Sequence, residues 1–221
     1  MSKIVSTLAA LCIVSGAAAA LSRTAPVEAH TLPAPLAEAA LSTAVTTDTA
    51  VFAGGCFWGI EAVFEHVKGV VSATSGYSGG STARPSYEQV STGETGHAES
   101  VRVVFDPSQV TYAQLLHVFF TAHDPTQLNH QDPDHGTQYR SAVFYRTPQQ
   151  QAAALAYVKQ LAAARTFAKP IVTQIAPLKT FYEAEGYHQD YLAGHPDQPY
   201  IRMYDAPKLV QLRRQFPALY R

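Results

Sequence analysis

Cysteine is nearly absent from this chain. Its 221 residues include only two, Cys12 and Cys56, and Cys12 lies in the apolar N-terminal run. A single thiol in the body of the chain excludes an internal disulfide framework. A lone cysteine is either a small buried hydrophobe or a reactive group, and the count alone leaves both readings open.

Charge is also scarce. Charged residues make up 15% of the chain and the net charge is −1, which disfavours nucleic acid or an anionic membrane as a partner. No phosphate-binding loop, dinucleotide glycine motif, serine nucleophile elbow or haem pattern occurs. His123, His130 and His135 share a loop with two aspartates but form no compact ligand pair, so we expect no metal site.

The length suits one domain with appendages. Residues 1–21 combine an early lysine with an apolar run and predict a secretory signal; the alternative is a retained membrane anchor. Residues 22–48, rich in Ala, Pro and Thr, predict a flexible linker. We expect one folded domain, which would carry the function, over 49–207 and a C-terminal tail over 208–221. The protein is then exported, to the periplasm, or membrane-anchored.

The stretch "AVFAGGCFWGIEAVFEHV" gives Cys56 its context. A short strand ends at a glycine pair, and the apolar residues that follow recur at helical spacing, so Cys56 is predicted at a helix N-terminus. Unpaired backbone N–H groups there favour a thiolate, and the glycines allow close approach. Trp58 lies off the apolar stripe and is predicted to line a pocket, with core packing as the alternative.

Two other polar residues are placed by strand alternation. In "AESVRVVFDP", Glu99 shares the face of three apolar residues, so it is a candidate for a carboxylic acid that keeps its proton; a frayed, solvated strand end is the alternative. Tyr139 is predicted to face the core from the end of "YRSAVFYR", and Tyr87 to lie in a loop. The order of strands and helices predicts an α+β fold with a sheet covered by helices and a long irregular C-terminal segment.

Five blocks, "GGCFWGIE", "PSYEQV", "TGHAESVRVVFDP", "DHGTQYRSAVFY" and "FYEAEGYHQDYL", occur in one order between residues 49 and 207. Together they resemble the A-type peptide methionine sulfoxide reductases. The resemblance implies a ferredoxin-like or rolled α+β core with a mixed sheet. It also implies reduction of methionine S-sulfoxide, free or in proteins, without a metal or organic cofactor.

The resemblance also assigns roles by position. Cys56 is the nucleophile that becomes a sulfenic acid, and Glu99 is the acid that protonates the sulfoxide oxygen, assisted by Tyr87 and Tyr139. The substrate-binding residues are Phe57 and Trp58, which hold the methyl group, and Asp134, which helps to hold the substrate backbone.

The chain departs from many members of this family because no cysteine follows Cys56. A resolving disulfide relay is therefore excluded, and we expect an external thiol reductant, of thioredoxin, glutaredoxin or glutathione type, acting on a monomer. Two rival functions stay open: a thiol peroxidase or redox sensor, and a non-catalytic protein that binds oxidised methionine.

Overall fold

A computed structural model describes residues 31–36 and 45–221. Its main sheet has six strands in the order β7-β6-β1-β3-β2-β8. All neighbours are antiparallel except β6 and β7, which are parallel, so the predicted α+β class with a mixed sheet is confirmed. The strands of the main sheet are β1 (Asp48–Gly54), β2 (Val70–Ser78), β3 (Ala98–Phe105), β6 (Ser141–Tyr145), β7 (Gln174–Pro177) and β8 (Phe181–Glu183). A separate short hairpin joins β4 (His130–Gln131) and β5 (Asp134–His135).

The described residues form six α-helices: α1 (Phe57–Glu65), α2 (Tyr87–Ser91), α3 (Tyr112–Ala122), α4 (Pro148–Ala163), α5 (Tyr191–Gly194) and α6 (Ala206–Gln215). Helices α1, α3 and α4 pack against the sheet. A capping box of Thr111 and Gln114 starts α3, and Thr147 caps α4 with Pro148 as its first residue. Within the described residues, no helix is both long and apolar enough to cross a membrane.

The core lies between the sheet and helices α1 and α3. Phe52 on β1 stacks on Phe64 of α1 and Phe119 of α3, with ring centroids 5.2 Å and 4.9 Å apart. All three rings are fully buried. Because such rings each bury a large apolar area, they fix α1, and with it the start of that helix, against the end of β1.

Two tyrosines lie on elements other than those predicted. Tyr87 begins α2 rather than lying in a loop, because Ser86 and Gln89 form a capping box that starts a helix. Tyr139 ends a 3₁₀ turn, Thr137–Tyr139, and β6 starts only at Ser141. Both rings are half-buried.

The C-terminal segment is less peripheral than its composition predicts. Strand β8 pairs with β2, and a π-helical turn, Ile201–Asp205, leads into α6. Leu212 of α6 is buried in the main core, and Tyr220 forms a bridge with Val67. The boundary predicted at 207 therefore does not divide the fold, since residues 208–221 pack on the same core.

The flexible linker predicted over 22–48 is wrong for residues 31–36, which dock on α3 and α4 as an extended strap. Leu32 is buried, and its carbonyl accepts a hydrogen bond from His117 Nε2. The Tyr157 hydroxyl donates to the Pro33 carbonyl, and the Gln160 amide pairs with the backbone of Ala34 and Leu36. The predicted signal, 1–21, and most of the linker lie outside the described residues.

The docked strap predicts a stability difference between two leucines. Leu32→Ala removes a buried side chain and should lower the free energy of unfolding by about 2 kcal/mol, measured by urea denaturation of the full chain. Leu36 is 87% exposed, so Leu36→Ala should change it by less than about 0.5 kcal/mol. Equal effects for the two variants would show that the strap does not stay docked in solution.

Candidate active site

Cys56 sits at the junction of β1 and α1. It occupies the N-cap position of α1, as predicted, and is 8% exposed. The preceding Gly55 has φ +94°, and a Cβ there would lie 2.6 Å from Cγ of Gln131. Both the left-handed backbone and the close hairpin require glycine. The turn at Gly55 thus packs closely against Gln131 of β4, and α1 starts directly after Cys56.

The Cys56 sulfur is held as a thiol rather than as the predicted thiolate. Burial raises its pKa well above the ordinary value, and the negative charges of Glu99 and Asp205 act in the same direction. The Trp58 backbone N–H and the Lys208 ammonium act the opposite way and lower the pKa of the thiol. The helix terminus is present, but desolvation in this buried site outweighs it.

Glu99 lies beside Cys56 at the same helix terminus. Its carboxylate Oε2 accepts a hydrogen bond of 3.0 Å from the backbone N–H of Phe57, the first residue of α1. The side chain is buried, which confirms the prediction from strand alternation. Burial raises the pKa of Glu99 to about 8, the Phe57 N–H lowers it, and Asp134 and Asp205 raise it. Glu99 is therefore mostly a neutral acid at pH 7.

Three further predicted residues come from separate elements around the thiol. The half-buried phenols of Tyr87 and Tyr139 have pKa values raised by burial and by the charge of Glu99, so both remain hydrogen-bond donors. Asp134 on β5 accepts a hydrogen bond from the hydroxyl of Tyr200. The fold thus brings Tyr87, Tyr139 and Asp134 toward the Cys56 and Glu99 pair from three different parts of the chain.

Phe57 and Trp58 provide the aromatic surface next to the sulfur. Phe57 is fully buried, whereas Trp58 is half-buried. The indole Nε1–H donates to Nδ1 of His188 at 3.2 Å, and the ring stacks on Tyr191 with centroids 3.8 Å apart. Packing against these neighbours fixes the Trp58 ring, which stays partly exposed, and its role as a pocket wall stays a prediction.

The sequence interpretation missed several buried polar residues. Glu61 on α1 is 1% exposed and accepts hydrogen bonds from the backbone N–H groups of Ser75 and Asp190. His188 and Asp205 are also buried. They were missed because the C-terminal segment that covers this face of α1 has no periodicity. For His188 the available signal was its place in "EGYHQDY", a polar stretch rich in aromatic residues.

No group of three or more His, Cys, Asp or Glu side chains is placed to hold a metal ion in the parts of the chain that the structure describes. His130 and His135 instead stack on each other across the β4–β5 hairpin, with centroids 5.3 Å apart. The titratable groups that the fold gathers near Cys56 include the Glu99 carboxyl group and the phenols of Tyr87 and Tyr139.

Most of this chain is similar to proteins of one known family. The profile of the family described as peptide methionine sulfoxide reductase matches residues 48–219. The peptide methionine sulfoxide reductase MsrA 2 of Mesorhizobium japonicum is 56% identical over 175 residues, 79% of this chain and 90% of that protein. MsrA of Pasteurella multocida is 47% identical over 175 residues, with 79% and 99% covered.

Two solved structures are also similar. Methionine sulfoxide reductase A of Corynebacterium diphtheriae has a TM-score of 0.62 and 40% identity, covering 75% of this chain and 84% of that one. Reduced Mxr1 of Saccharomyces cerevisiae has a TM-score of 0.64 and 33% identity, with 69% and 87% covered. The extent and identity of these matches, over the residues that form the site, show that the chain belongs to the peptide methionine sulfoxide reductase family.

Proposed function

We propose that the site reduces the S epimer of methionine sulfoxide, free or in proteins, with Cys56 as nucleophile. The Cys56 sulfur attacks the sulfoxide sulfur and forms a transient S–S bond; this bond and the S–O bond of the substrate then break as the oxygen passes to the Cys56 sulfur. The substrate sulfur is reduced by two electrons to methionine and Cys56 is oxidised to a sulfenic acid. The thiol proton ends on the transferred oxygen, so the step balances without a cofactor.

The observation that carries this proposal is the neutral carboxylic acid beside the thiol. A sulfoxide oxygen leaves sulfur only when it is protonated, and Glu99, with its pKa raised to about 8, carries a proton at neutral pH. Tyr87 and Tyr139 supply two further neutral donors toward the same oxygen.

The remaining residues hold the substrate. Phe57 and Trp58 give the substrate methyl group an apolar contact next to the sulfur, and the fixed indole orients it. Asp134, which is half-buried at the hairpin, accepts from a backbone N–H of the substrate in this proposal. An aromatic surface of this kind suits a methyl sulfoxide better than a peroxide.

Recycling then requires a thiol from outside the chain. The 221 residues contain no cysteine after Cys56, so an external thiol attacks the sulfenic acid, releases water and forms a mixed disulfide. A second thiol restores Cys56. A thioredoxin-, glutaredoxin- or glutathione-like reductant fits this step. We further propose that the enzyme works as a monomer and is exported to the periplasm, on the basis of the apolar run after Lys3; retention as a membrane anchor is the alternative.

Turnover on separated epimers tests the function. With dithiothreitol as the reductant, the full chain should complete many turnovers on N-acetyl-methionine S-sulfoxide and show no measurable turnover on the R epimer. Hydrogen peroxide in place of the sulfoxide tests the peroxidase alternative. Faster consumption of peroxide than of the S-sulfoxide would overturn the proposal.

The same assay tests recycling. Cys12→Ser should leave the turnover number with dithiothreitol, and with thioredoxin or glutaredoxin, within about twofold, because an external thiol acts on Cys56 directly. Loss of multiple turnovers in Cys12→Ser, with the first turnover intact, would instead identify Cys12 as a resolving thiol.

A further inference from the structure

A buried ion pair from the C-terminal segment lies against the first turn of α1. Lys208 Nζ is 2.6 Å from Asp205 Oδ1, and the two side chains are 17% and 0% exposed. A Cβ on Gly59, three residues after Cys56, would lie 2.2 Å from Asp205 Oδ1 and 2.8 Å from Lys208 Nζ. Gly59 therefore lets the charged groups touch the backbone of the helix that Cys56 caps.

The pair is incompletely satisfied. Asp205 Oδ2 is buried and has no hydrogen-bond partner among the described residues. Removing a carboxylate from water costs free energy that one ammonium contact offsets only in part. A stabilising role therefore explains this ion pair poorly. An electrostatic effect on the nearby sulfur of Cys56 explains it directly.

Both charges act on Cys56. Asp205 raises the pKa of the thiol and Lys208 lowers it. The other titratable groups that act electrostatically with the sulfur are Glu99 on β3 and three phenols, those of Tyr87, Tyr139 and Tyr200. Glu99 and the phenols are mostly neutral at pH 7, so Lys208 is the cation in this set.

We propose that Lys208 is a positioning residue for the reduction: its ammonium group, held against Gly59 by Asp205, stabilises the anionic sulfur of Cys56 while the thiol gives up its proton. The inference rests on the proposed role of Cys56 as nucleophile. The proton leaves the thiol and ends on the sulfoxide oxygen, so the sulfur is transiently negative before the S–S contact forms. Asp205 holds the Lys208 ammonium group in place, but its own negative charge opposes part of the stabilisation that Lys208 gives to the anionic sulfur.

Two near-isosteric variants distinguish this role from a structural one, because they should shift the pH midpoint of Cys56 alkylation in opposite directions. Both are made in the Cys12→Ser full chain, so that Cys56 is its only thiol. Lys208→Met should raise the pH midpoint of Cys56 alkylation by iodoacetamide by about one pH unit, and slow the single turnover at pH 7 by about tenfold. Asp205→Asn should lower that midpoint.

Lys159→Met, which changes an exposed lysine on α4, is the matched control and should leave midpoint and single-turnover rate unchanged. Urea unfolding checks that each variant is folded. If Asp205→Asn does not fold, Lys208→Arg tests whether the positive charge is what matters. This variant should keep the pH midpoint of Cys56 alkylation near that of the Cys12→Ser chain, because the charge is retained.

Unchanged midpoints, or a shift of both variants in the same direction, would overturn the proposal. Alkylation needs no substrate, so its outcome is independent of the reductase assay. Failure of the proposed function appears separately, as absence of S-sulfoxide turnover in the Cys12→Ser chain itself.

Discussion

Cys56→Ser should lower the rate of methionine S-sulfoxide reduction by about 10⁴-fold or more, to the background reaction with dithiothreitol. The hydroxyl of serine keeps the size and the N-cap position of the thiol, but it is a far weaker nucleophile toward sulfur and forms no sulfenic acid. Product should be measured by chromatography of methionine after a single turnover, which removes any dependence on recycling.

The fold provides the control for this variant. Cys56 caps α1, and serine is a favourable N-cap residue, so Cys56→Ser should unfold in urea at nearly the same midpoint as the parent. Dimedone, which labels sulfenic acids, should modify the parent after reaction with the S-sulfoxide and leave Cys56→Ser unlabelled. Methionine formation at parental rate by the folded variant would exclude Cys56 as the nucleophile.

Glu99→Gln should slow the single turnover by about 10²- to 10⁴-fold. Glutamine has nearly the same shape and its carbonyl oxygen can still accept from the Phe57 N–H, but it cannot give a proton to the sulfoxide oxygen. The substrate Kd should change much less than the rate. A parental rate in this variant would remove Glu99 from the role of acid.

The pH dependence of the single-turnover rate tests whether Glu99 acts as an acid. Because the acid form of Glu99 is needed and its pKa is about 8, its contribution to the parental rate should be present at pH 6 and decline as the pH rises through 8. In Glu99→Gln this alkaline decline should be absent from the residual rate. Single-turnover rates from pH 6 to pH 10 measure both profiles.

The Glu99→Gln substitution should lower activity, but with rising pH it should make the folded state more stable relative to the parent. The folded-state pKa of Glu99 lies above its unfolded value, so its contribution to stability is fully present below pH 4.5 and is lost as the pH rises through about 8. Glutamine avoids this loss. The unfolding free energy of Glu99→Gln relative to the parent should therefore grow between pH 5 and pH 9, a result that misfolding of the variant cannot produce.

Local patterns of the sequence predicted the frame of this site because short-range physics governs it. The switch from alternation to helical spacing at Gly54-Gly55 placed Cys56 at a helix start, and alternation in β3 placed Glu99 on the buried face. Both features depend only on a few neighbouring residues and their backbone geometry. Capping residues likewise set the starts of α3 and α4.

Long-range packing decided what local patterns could not. The ionisation of Cys56 follows from burial and from Glu99 and Asp205, which lie 43 and 149 residues away along the chain, and so the predicted thiolate proved to be a thiol. Glu61 is buried only because the aperiodic C-terminal segment covers α1. The strap at Leu32 docks only where α3 and α4 leave a groove.

Residue identity and local periodicity predict the reacting thiol, the burial of Glu99, the family and the absence of a resolving cysteine after Cys56. The contact of Glu99 with the start of α1, the protonation of the thiol, the approach of Tyr87, Tyr139 and Asp134, and the contact of Lys208 with α1 depend on the tertiary structure. Electrostatic effects depend on distance and desolvation in space, and neither is fixed by separation along the chain.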